Sequence, residues 1–591
     1  MKQTTLQLFK EVWSNIYKNK YNYVTNAMLL QFFIVFGGVT ILSMIFELIL
    51  AVSNQTNLTQ TSILSILFNP WGLVLILVYI LVLSFLMFIE FSVLTINVYG
   101  RSVGRYYSAK DFIRNAAKKS KMLVGPQIIF FLLYFVSMVP FANLGLGSIL
   151  TKDLYIPKFI TGELMKTTSG LVVYIILILI LLYFNLRLFF VLPLTMINDS
   201  NILENIKKSW QLTKKNKLKL LSVIFLFELI FIFILVAVIV ILVLLFTYFD
   251  SDGNSLLLQS LFFTLLKGIM FSFAALSKIV IITTLVTIIK NYDEIGEDFK
   301  VSKEVNYEKS EKKKSKILVV FSVLAIAGVF AVNSLTIYAR ELNENSIIIG
   351  HRGYVKYGVE NSIEALEAAK KANANYVEVD ILLTKDNKFV VMHDYNLKRL
   401  ASVNKKVADM TYDEIVGLKI KAGDFESRIP SFEEFVYKAK ELDIKLLVEL
   451  KPHGQEPDNY ADLVINKLRE LQVEKDYKVM SLDLKVIKEI EQKAPEFNTG
   501  YVIPLQLGGF SEKNVDFYVI EDFSFSQEKL SEAKDSGKEL YVWTINDKDT
   551  IIKYLHSGVD GIITDEIESV QTEKQISKEN NNYFYRVINM I

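Results

Sequence analysis

Two histidines and three carboxylates stand where side chains could do chemistry. The chain has four histidines, all in its C-terminal part. His351 directly follows the apolar run Ile347-Ile348-Ile349-Gly350, and His393 closes another, Val390-Val391-Met392-His393-Asp394. Imidazoles at the ends of successive strands can converge on one opening and move protons near neutral pH. Either one alone reads equally well as a capping or structural histidine. Glu378-Val379-Asp380 lies in a strand-like run, Tyr376 to Leu383, whose period of two points both acids to the same face. Acids on an interior face repel each other unless a cation or protons intervene. Glu449 ends the next such run, in Val448-Glu449-Leu450-Lys451. Three carboxylates in a chain with no cysteine specify a hard, oxygen-seeking cation, calcium or magnesium rather than zinc. The alternative is that Arg352 and Lys451 simply neutralise them. Those two residues also offer a guanidinium fork and a point charge for phosphate oxygens. Glu360 could orient a catalytic histidine, and Asn361 is a plausible N-cap for the helix that follows. Trp543, on the late run Tyr541 to Asn546, could pack against a ligand or fill the opening.

These residues need a scaffold, and the pattern from Ile347 onward supplies one. Eight short apolar runs begin near Ile347, Tyr376, Lys445, Lys478, Tyr501, Phe517, Leu540 and Gly561. Amphipathic segments alternate with most of them, including Asn361 to Ala374, Ser431 to Leu442, Asn459 to Leu471, Leu484 to Lys493, Gln527 to Ser536 and Asp549 to Ser557. Such alternation predicts a parallel TIM (β/α)8 barrel rather than an open sheet, with reactive side chains at the C-terminal ends of the strands.

The preceding sequence has a different texture. The chain of 591 residues is 52% hydrophobic, and the excess lies before about Tyr338. Seven stretches are long enough to cross a bilayer: roughly Met28–Val52, Trp71–Val98, Leu123–Leu144, Leu171–Ile197, Leu220–Phe249, Leu256–Ile289 and Ile317–Tyr338. Lys and Arg crowd the N-terminal segment, the loops after the second and fourth stretches, and the segment before the seventh, while Ser53 to Pro70 has none. This alternation predicts a cytoplasmic N-terminus and an exterior C-terminal part. The predicted domains are therefore an α-helical multi-span membrane domain over 1–340, with a partly disordered cytoplasmic linker at 290–316, then the α/β barrel over 341–572 and a tail over 573–591. Glu47, Glu90, Arg187, Glu228, Lys267 and Lys278 fall within the spans. Such residues are either paired inside the bundle or functional. The polar, basic N-terminus does not read as a cleavable signal peptide. A net charge of +2, without a basic aromatic stripe in the barrel part, gives no sign of a nucleic-acid partner.

Taken together, His351-Arg352-Gly353, Glu360-Asn361, Glu378-Val379-Asp380, Val391-Met392-His393-Asp394, Glu449-Leu450-Lys451, Trp543-Thr544-Ile545-Asn546 and Gly561-Ile562-Ile563-Thr564-Asp565 resemble the motif series of the glycerophosphodiester phosphodiesterase family over about Ile347 to Glu566. The multi-span part is similar in architecture to the membrane domain of some bacterial members. Tyr395 to Pro430 resembles the family's insertion, and Ser481-Leu482-Asp483 departs from the Ser-Phe of many members. The resemblance implies a TIM barrel that hydrolyses glycerophosphodiesters to glycerol 3-phosphate and an alcohol. It implies Glu378, Asp380 and Glu449 as ligands of a divalent cation, Ca2+ or Mg2+, and His351 and His393 as the acid–base pair, with His351 expected as base. Arg352 and Lys451 would contact the phosphate. The attacking group would be the substrate's own glycerol hydroxyl, giving a cyclic phosphate that water opens. Exterior substrates of this kind are deacylated phospholipid headgroups and glycerol-phosphate polymers of teichoic type. Two other readings share the pattern: a membrane sensor with a degenerate barrel, and a different TIM-barrel phosphodiesterase of phospholipase C or D type.

Overall fold

The computed structural model describes residues 4–105 except 56, 60 and 61, residues 167–292 except 199, residues 307–339, and residues 346–579 except 511 and 513, with scattered positions besides. The chain divides into two compact units. The first comprises Met1–Ser53 and Phe68–Ile337, and the second Asn54–Leu67 and Tyr338–Ile591.

In the first unit, six helices among the described residues are long and apolar enough to cross a membrane. The expected third stretch, Leu123 to Leu144, lies outside the described residues. The first helix starts earlier than its apolar stretch, at Thr5, because Thr4 and Gln7 form a capping box there. It runs to Phe32, passes through a π-helical turn at Phe33–Gly38, and continues over Val39–Val52. In the fourth stretch the chain breaks between Thr168–Leu188 and Val191–Ile197, which puts Pro193 in the first turn of the second piece, where its missing N–H costs nothing. Of the linker expected to be partly disordered, residues 293–306 lie outside the described residues, and both of its ends are helical. Residues 290–292 end the helix Leu256–Tyr292, and Tyr307–Ala339 forms one helix through the Lys-rich run. Most of the charges expected in the spans have internal partners. Lys278 donates to Glu90, Ser277 donates to Glu228, Lys267 Nζ donates to Asn333 Oδ1 at 2.6 Å, and Arg187 lies over the Trp210 ring at 4.4 Å. Large apolar side chains such as Phe233, Ile241 and Leu244 are exposed, as lipid-facing surface must be.

The second unit contains the strands β1 (Asn57–Thr59), β2 (Ile347–Gly350), β3 (Tyr376–Leu383), β4 (Phe389–Val391), β5 (Lys419–Ala422), β6 (Phe425–Arg428), β7 (Lys445–Leu450), β8 (Lys478–Ser481), β9 (Asn498–Ile503), β10 (Gln506–Gly508), β11 (Phe517–Glu521), β12 (Glu539–Trp543) and β13 (Gly561–Thr564). Eight of them form a parallel wall in the order β2-β13-β12-β11-β9-β8-β7-β3, and pairing of β2 with β3 closes it. This is the expected barrel, made by the eight runs read from the sequence.

Alternation along the strands builds two cores. Inward residues Ile349, Leu447, Met480, Val502, Val519, Tyr541 and Ile563 fill the barrel. Outward residues such as Val379, Val448 and Ile562 pack under Leu366, Phe435, Val464 and Ile487 of the surrounding helices. The predicted insertion has its own small core of Leu397, Leu400, Val407, Met410, Ile415, Ile420 and Ile429, beside the β5–β6 hairpin. One expectation changes here. His393 does not follow a strand of the wall, because β4 folds back antiparallel on the end of β3, Val391 opposite Ile381. That return places His393 over the rim.

Gly500 on β9 has no room for a side chain, since a Cβ would lie 2.0 Å from the Phe517 ring. Gly500→Val should destabilise the barrel by about 1–3 kcal/mol, the usual cost of overpacking. A thermal melt in detergent within error of wild type would contradict this packing.

Candidate active site

Inward alternation carries past the apolar layer to a charged one at the C-terminal ends of the strands. Two residues beyond Ile349 stands His351, two beyond Glu378 stands Asp380, and Glu449 and Lys451 follow Leu447. Across the wall the same parity gives Glu521, Trp543 and Asp565. Register sets Asp380 directly opposite Glu449.

Glu378, Asp380 and Glu449 each offer an oxygen to a group whose atoms all lie within 4.8 Å of one another. Glu378 and Asp380 are buried. Glu378 Oε2 accepts from the Arg352 backbone N at 2.8 Å, whereas its Oε1 is buried with no hydrogen-bond partner. Asp380 Oδ2 accepts from Asn361 Nδ2 at 2.8 Å, and Oδ1 has no hydrogen bond, only the Lys451 ammonium at 3.5 Å. Burial, followed by Asp380 and Glu449, pushes the Glu378 carboxyl well above the usual range. Burial also raises Glu449, with Asp380 adding to it and Lys451 opposing. Asp380 goes the other way: burial raises it, but Lys451, His393 and Arg352 together hold it low. Two orphaned carboxylate oxygens and two carboxyls that resist ionisation are what a cation-binding acid cluster shows when its own side chains supply too little positive charge. The donor set, all carboxylate oxygen, fits a hard divalent ion.

The Gly350-to-Asn361 segment is shaped for this cluster. Arg352 and Asn361 both adopt left-handed φ, 57° and 61°. Non-glycine residues take that conformation at a cost of order 1 kcal/mol, so contacts must hold them there. Arg352 is held by its N–H to Glu378, by Nη1 donating to Glu360 at 2.9 Å, and by Nε 3.4 Å from Asp380. Gly353 is required beside it, because a Cβ would lie 2.7 Å from that of Ala365. Asn361 is not the helix cap expected from the sequence. Ser362 caps Ile363–Lys371, and Asn361 instead brackets Asp380, donating to its carboxylate and accepting from its backbone N at 3.2 Å. The left-handed turn at Asn361 is what frees its amide for this.

Glu360 does not hydrogen-bond a histidine either. Its oxygens take Arg352 Nη1 and both terminal nitrogens of Arg399, the latter two at 2.7 Å. The groups that hold the imidazoles were not singled out from the sequence. His351 Nδ1 lies 2.8 Å from Asp565 Oδ1, and Asp565 is fixed in turn by Asn546. His393 Nδ1 lies 2.8 Å from Asp394 Oδ1, and Arg399 Nε donates to the other Asp394 oxygen at 2.6 Å. Asp565 was readable, since it continues the inward parity of β13. Arg399 was not, because only the folded insertion brings it back. Glu360, His393 and Asp394 also lie close enough to share an ion, but Arg399 already spans both carboxylates. Burial lowers the proton affinity of His393, Arg352 and Lys451 lower it further, and Asp380 and Asp394 oppose. Trp543 ends β12 opposite Glu521, its Nε1 buried without a hydrogen-bond partner.

Fold and site together define a phosphodiester-directed TIM barrel behind a membrane domain, and comparison with known proteins agrees. The family described as the membrane domain of glycerophosphoryl diester phosphodiesterase matches residues 9–332, and the glycerophosphoryl diester phosphodiesterase family matches residues 351–569. A glycerophosphodiester phosphodiesterase of Caldanaerobacter subterraneus subsp. tengcongensis is 28% identical over 233 residues, covering 38% of this chain and 96% of the relative. One of Bacillus subtilis is 24% identical over 247 residues, covering 37% and 83%. The crystal structure of a glycerophosphodiester phosphodiesterase from Parabacteroides distasonis is 27% identical, with TM-score 0.35, covering 40% of this chain and 98% of that one. The chain belongs to the family of glycerophosphoryl diester phosphodiesterases that carry this membrane domain. It is a glycerophosphodiester phosphodiesterase, a multi-pass membrane protein with its phosphoric diester hydrolase in the barrel.

The Glu360–Arg399–Asp394 bridge predicts an acid-sensitive barrel. Burial raises the Glu360 carboxyl, but the Arg399 hydrogen bonds and the charges of Arg352 and Arg399 outweigh it and bring the value down to about 2. A carboxyl lowered on folding stabilises the fold above its ordinary range and loses that contribution as pH falls toward about 2. Glu360→Gln should therefore cost roughly 3 kcal/mol at neutral pH, a Tm drop of about 6–12 °C, with a smaller deficit at pH 3. A deficit that is the same at both pH values would count against the bridge.

Proposed function

We propose that this enzyme hydrolyses glycerophosphodiesters at the outer face of the membrane with a divalent cation, Ca2+ or Mg2+, held by Glu378, Asp380 and Glu449. The observation that carries the reading is the acid cluster itself: three carboxylates within 4.8 Å, two of their oxygens without a hydrogen bond, at the barrel end that also carries His351, His393, Arg352 and Lys451. The exterior placement is supported by the alternation of Lys and Arg along the first 340 residues. The working division is a membrane domain over 1–340, a catalytic barrel over 341–572 and a tail over 573–591. The substrate class is the phospholipid headgroup diesters or glycerol-phosphate polymers available outside.

When bound, the cation would offset the phosphodiester's charge and the charge that develops during cleavage. Arg352 and Lys451 add positive charge on the same side. Arg352 is pre-aimed by Glu360 and Asp380, so its fork needs no rearrangement to meet a phosphate oxygen. Each histidine commits Nδ1 to a carboxylate, which leaves Nε2 for the substrate. His393, whose proton affinity is lowered, suits removal of a proton from the attacking glycerol hydroxyl. His351, whose ring Asp565 orients through Nδ1, suits protonation of the departing alkoxide. This exchanges the two roles expected from the sequence. The attacking oxygen bonds to phosphorus as the alkoxide leaves, and water then opens the cyclic phosphate to glycerol 3-phosphate. Glu360 and Asn361 support Arg352 and Asp380, and the flat face of Trp543 supports the carbon skeleton.

His351→Ala and His393→Ala should each lower turnover of glycerophosphocholine at least about a hundredfold, and excess chelator should abolish it. Near-normal turnover in both variants, or full activity in chelator, rejects this mechanism. Because a base works only when unprotonated and His393 is shifted down, the acid limb of kcat/KM should lie below the ordinary imidazole range, about 6.5. A limb that sits above neutrality and persists in His351→Ala would remove His393 as base.

A further inference from the structure

Strand β10 has no place in the barrel wall. It begins three residues after β9 ends, on the face where the strand ends carry the catalytic groups, and among the described residues its one strand partner is β1. β1 lies in the connection between the first two membrane helices, yet Asn54–Leu67 packs as part of the same compact unit as the barrel. The pairing is antiparallel, with Asn57 opposite Gly508, Leu58 opposite Leu507 and Thr59 opposite Gln506. Asn57 is buried, and its Nδ2 donates to Gly509 O at 2.9 Å. Gln506 is buried too; its Nε2 donates to the same carbonyl at 2.5 Å and its backbone N to Ser524 Oγ at 2.8 Å, beside the end of β11. A three-residue strand cannot hold itself, so this rim loop depends on a strand added from elsewhere.

We propose that the connection between the first two membrane helices is a clamp on the active-site rim, with β1 holding the 504–510 loop in place. The inference rests on reading the C-terminal face of the barrel as the active site. In the wall order, β9 stands across the opening from β2 and β3, which carry His351, Glu378 and Asp380. The clamped loop therefore borders the side where the rest of the substrate extends, away from the phosphate and cation. It sets how tightly the alcohol portion is held more than how fast the bond breaks. The pairing also requires residues 57–59 and the barrel to share one side of the membrane. The charge pattern leads independently to the same relation, since Ser53 to Pro70 contains no Lys or Arg.

The chain has no cysteine, so Leu58→Cys with Leu507→Cys can form only one internal disulfide. Opposed antiparallel residues lie about 4.5–5.5 Å apart, within disulfide range. In membranes carrying the full-length double variant, mild oxidation should give this cross-linked peptide pair. Leu58→Cys with Tyr437→Cys, exposed on the helix Phe432–Glu441, should give none. Absence of the first link overturns the proposal. The triple variant Asn57→Gly, Leu58→Pro, Thr59→Gly should raise KM for glycerophosphocholine at least about fivefold, with kcat within about twofold. An unchanged KM overturns the positioning role. A chain that cross-links but hydrolyses no glycerophosphodiester refutes the catalytic reading and leaves the clamp standing.

Discussion

Buried negative charge at the mouth of the barrel is the constraint on which the rest of the site depends. Glu360, Glu378, Asp380, Asp394, Glu449 and Asp565 converge there, and the side-chain cations facing them are Arg352, Arg399 and Lys451. Carboxylates outnumber fixed cations, so the protein alone cannot ionise them all at low cost. The shortage is unevenly shared. Glu360 and Asp394 own an arginine between them and stay ionised, whereas Glu378 and Glu449 are pushed toward their neutral forms. The deficit thus falls on the three oxygens that face one another, where a divalent ion would relieve it.

The backbone answers the same constraint. A parallel wall brings every strand's C-terminal end to one rim, so inward residues from β2, β3, β7 and β13 meet without any loop reaching far. Left-handed turns at Arg352 and Asn361 then deliver a guanidinium and an amide onto the carboxylates of β3. Strain is tolerated there because each turn is held by hydrogen bonds to a buried acid, which itself would be less stable without them.

The membrane domain treats charge differently. Lys278 forms an ion pair with Glu90 on another helix, and Lys267 donates a hydrogen bond to the neutral amide of Asn333. Local matching lets ionisable groups persist in a bilayer. Hydrolysis belongs to the second unit, which also includes β1 although that strand precedes the barrel by almost 300 residues in sequence.

Much of this was legible in sequence because it follows from periodicity. Apolar runs of about twenty residues are long enough to be spans, and eight alternating runs with helices between them close as a barrel. Period two set Glu378 and Asp380 on one face, and position at the ends of apolar runs singled out His351 and Glu449; the same parity applied along β13 would have added Asp565. What the sequence could not decide were contacts between residues far apart along the chain or set by a turn. Asn361 looks like a cap, and becomes a ligand of Asp380 only through its left-handed φ. Glu360 looks like a partner for histidine, and is taken instead by Arg399, which a folded insertion returns to the rim. β1 looks like an ordinary loop, because three residues carry no periodicity; only the exposed edge of β10, some 450 residues away, makes it a strand.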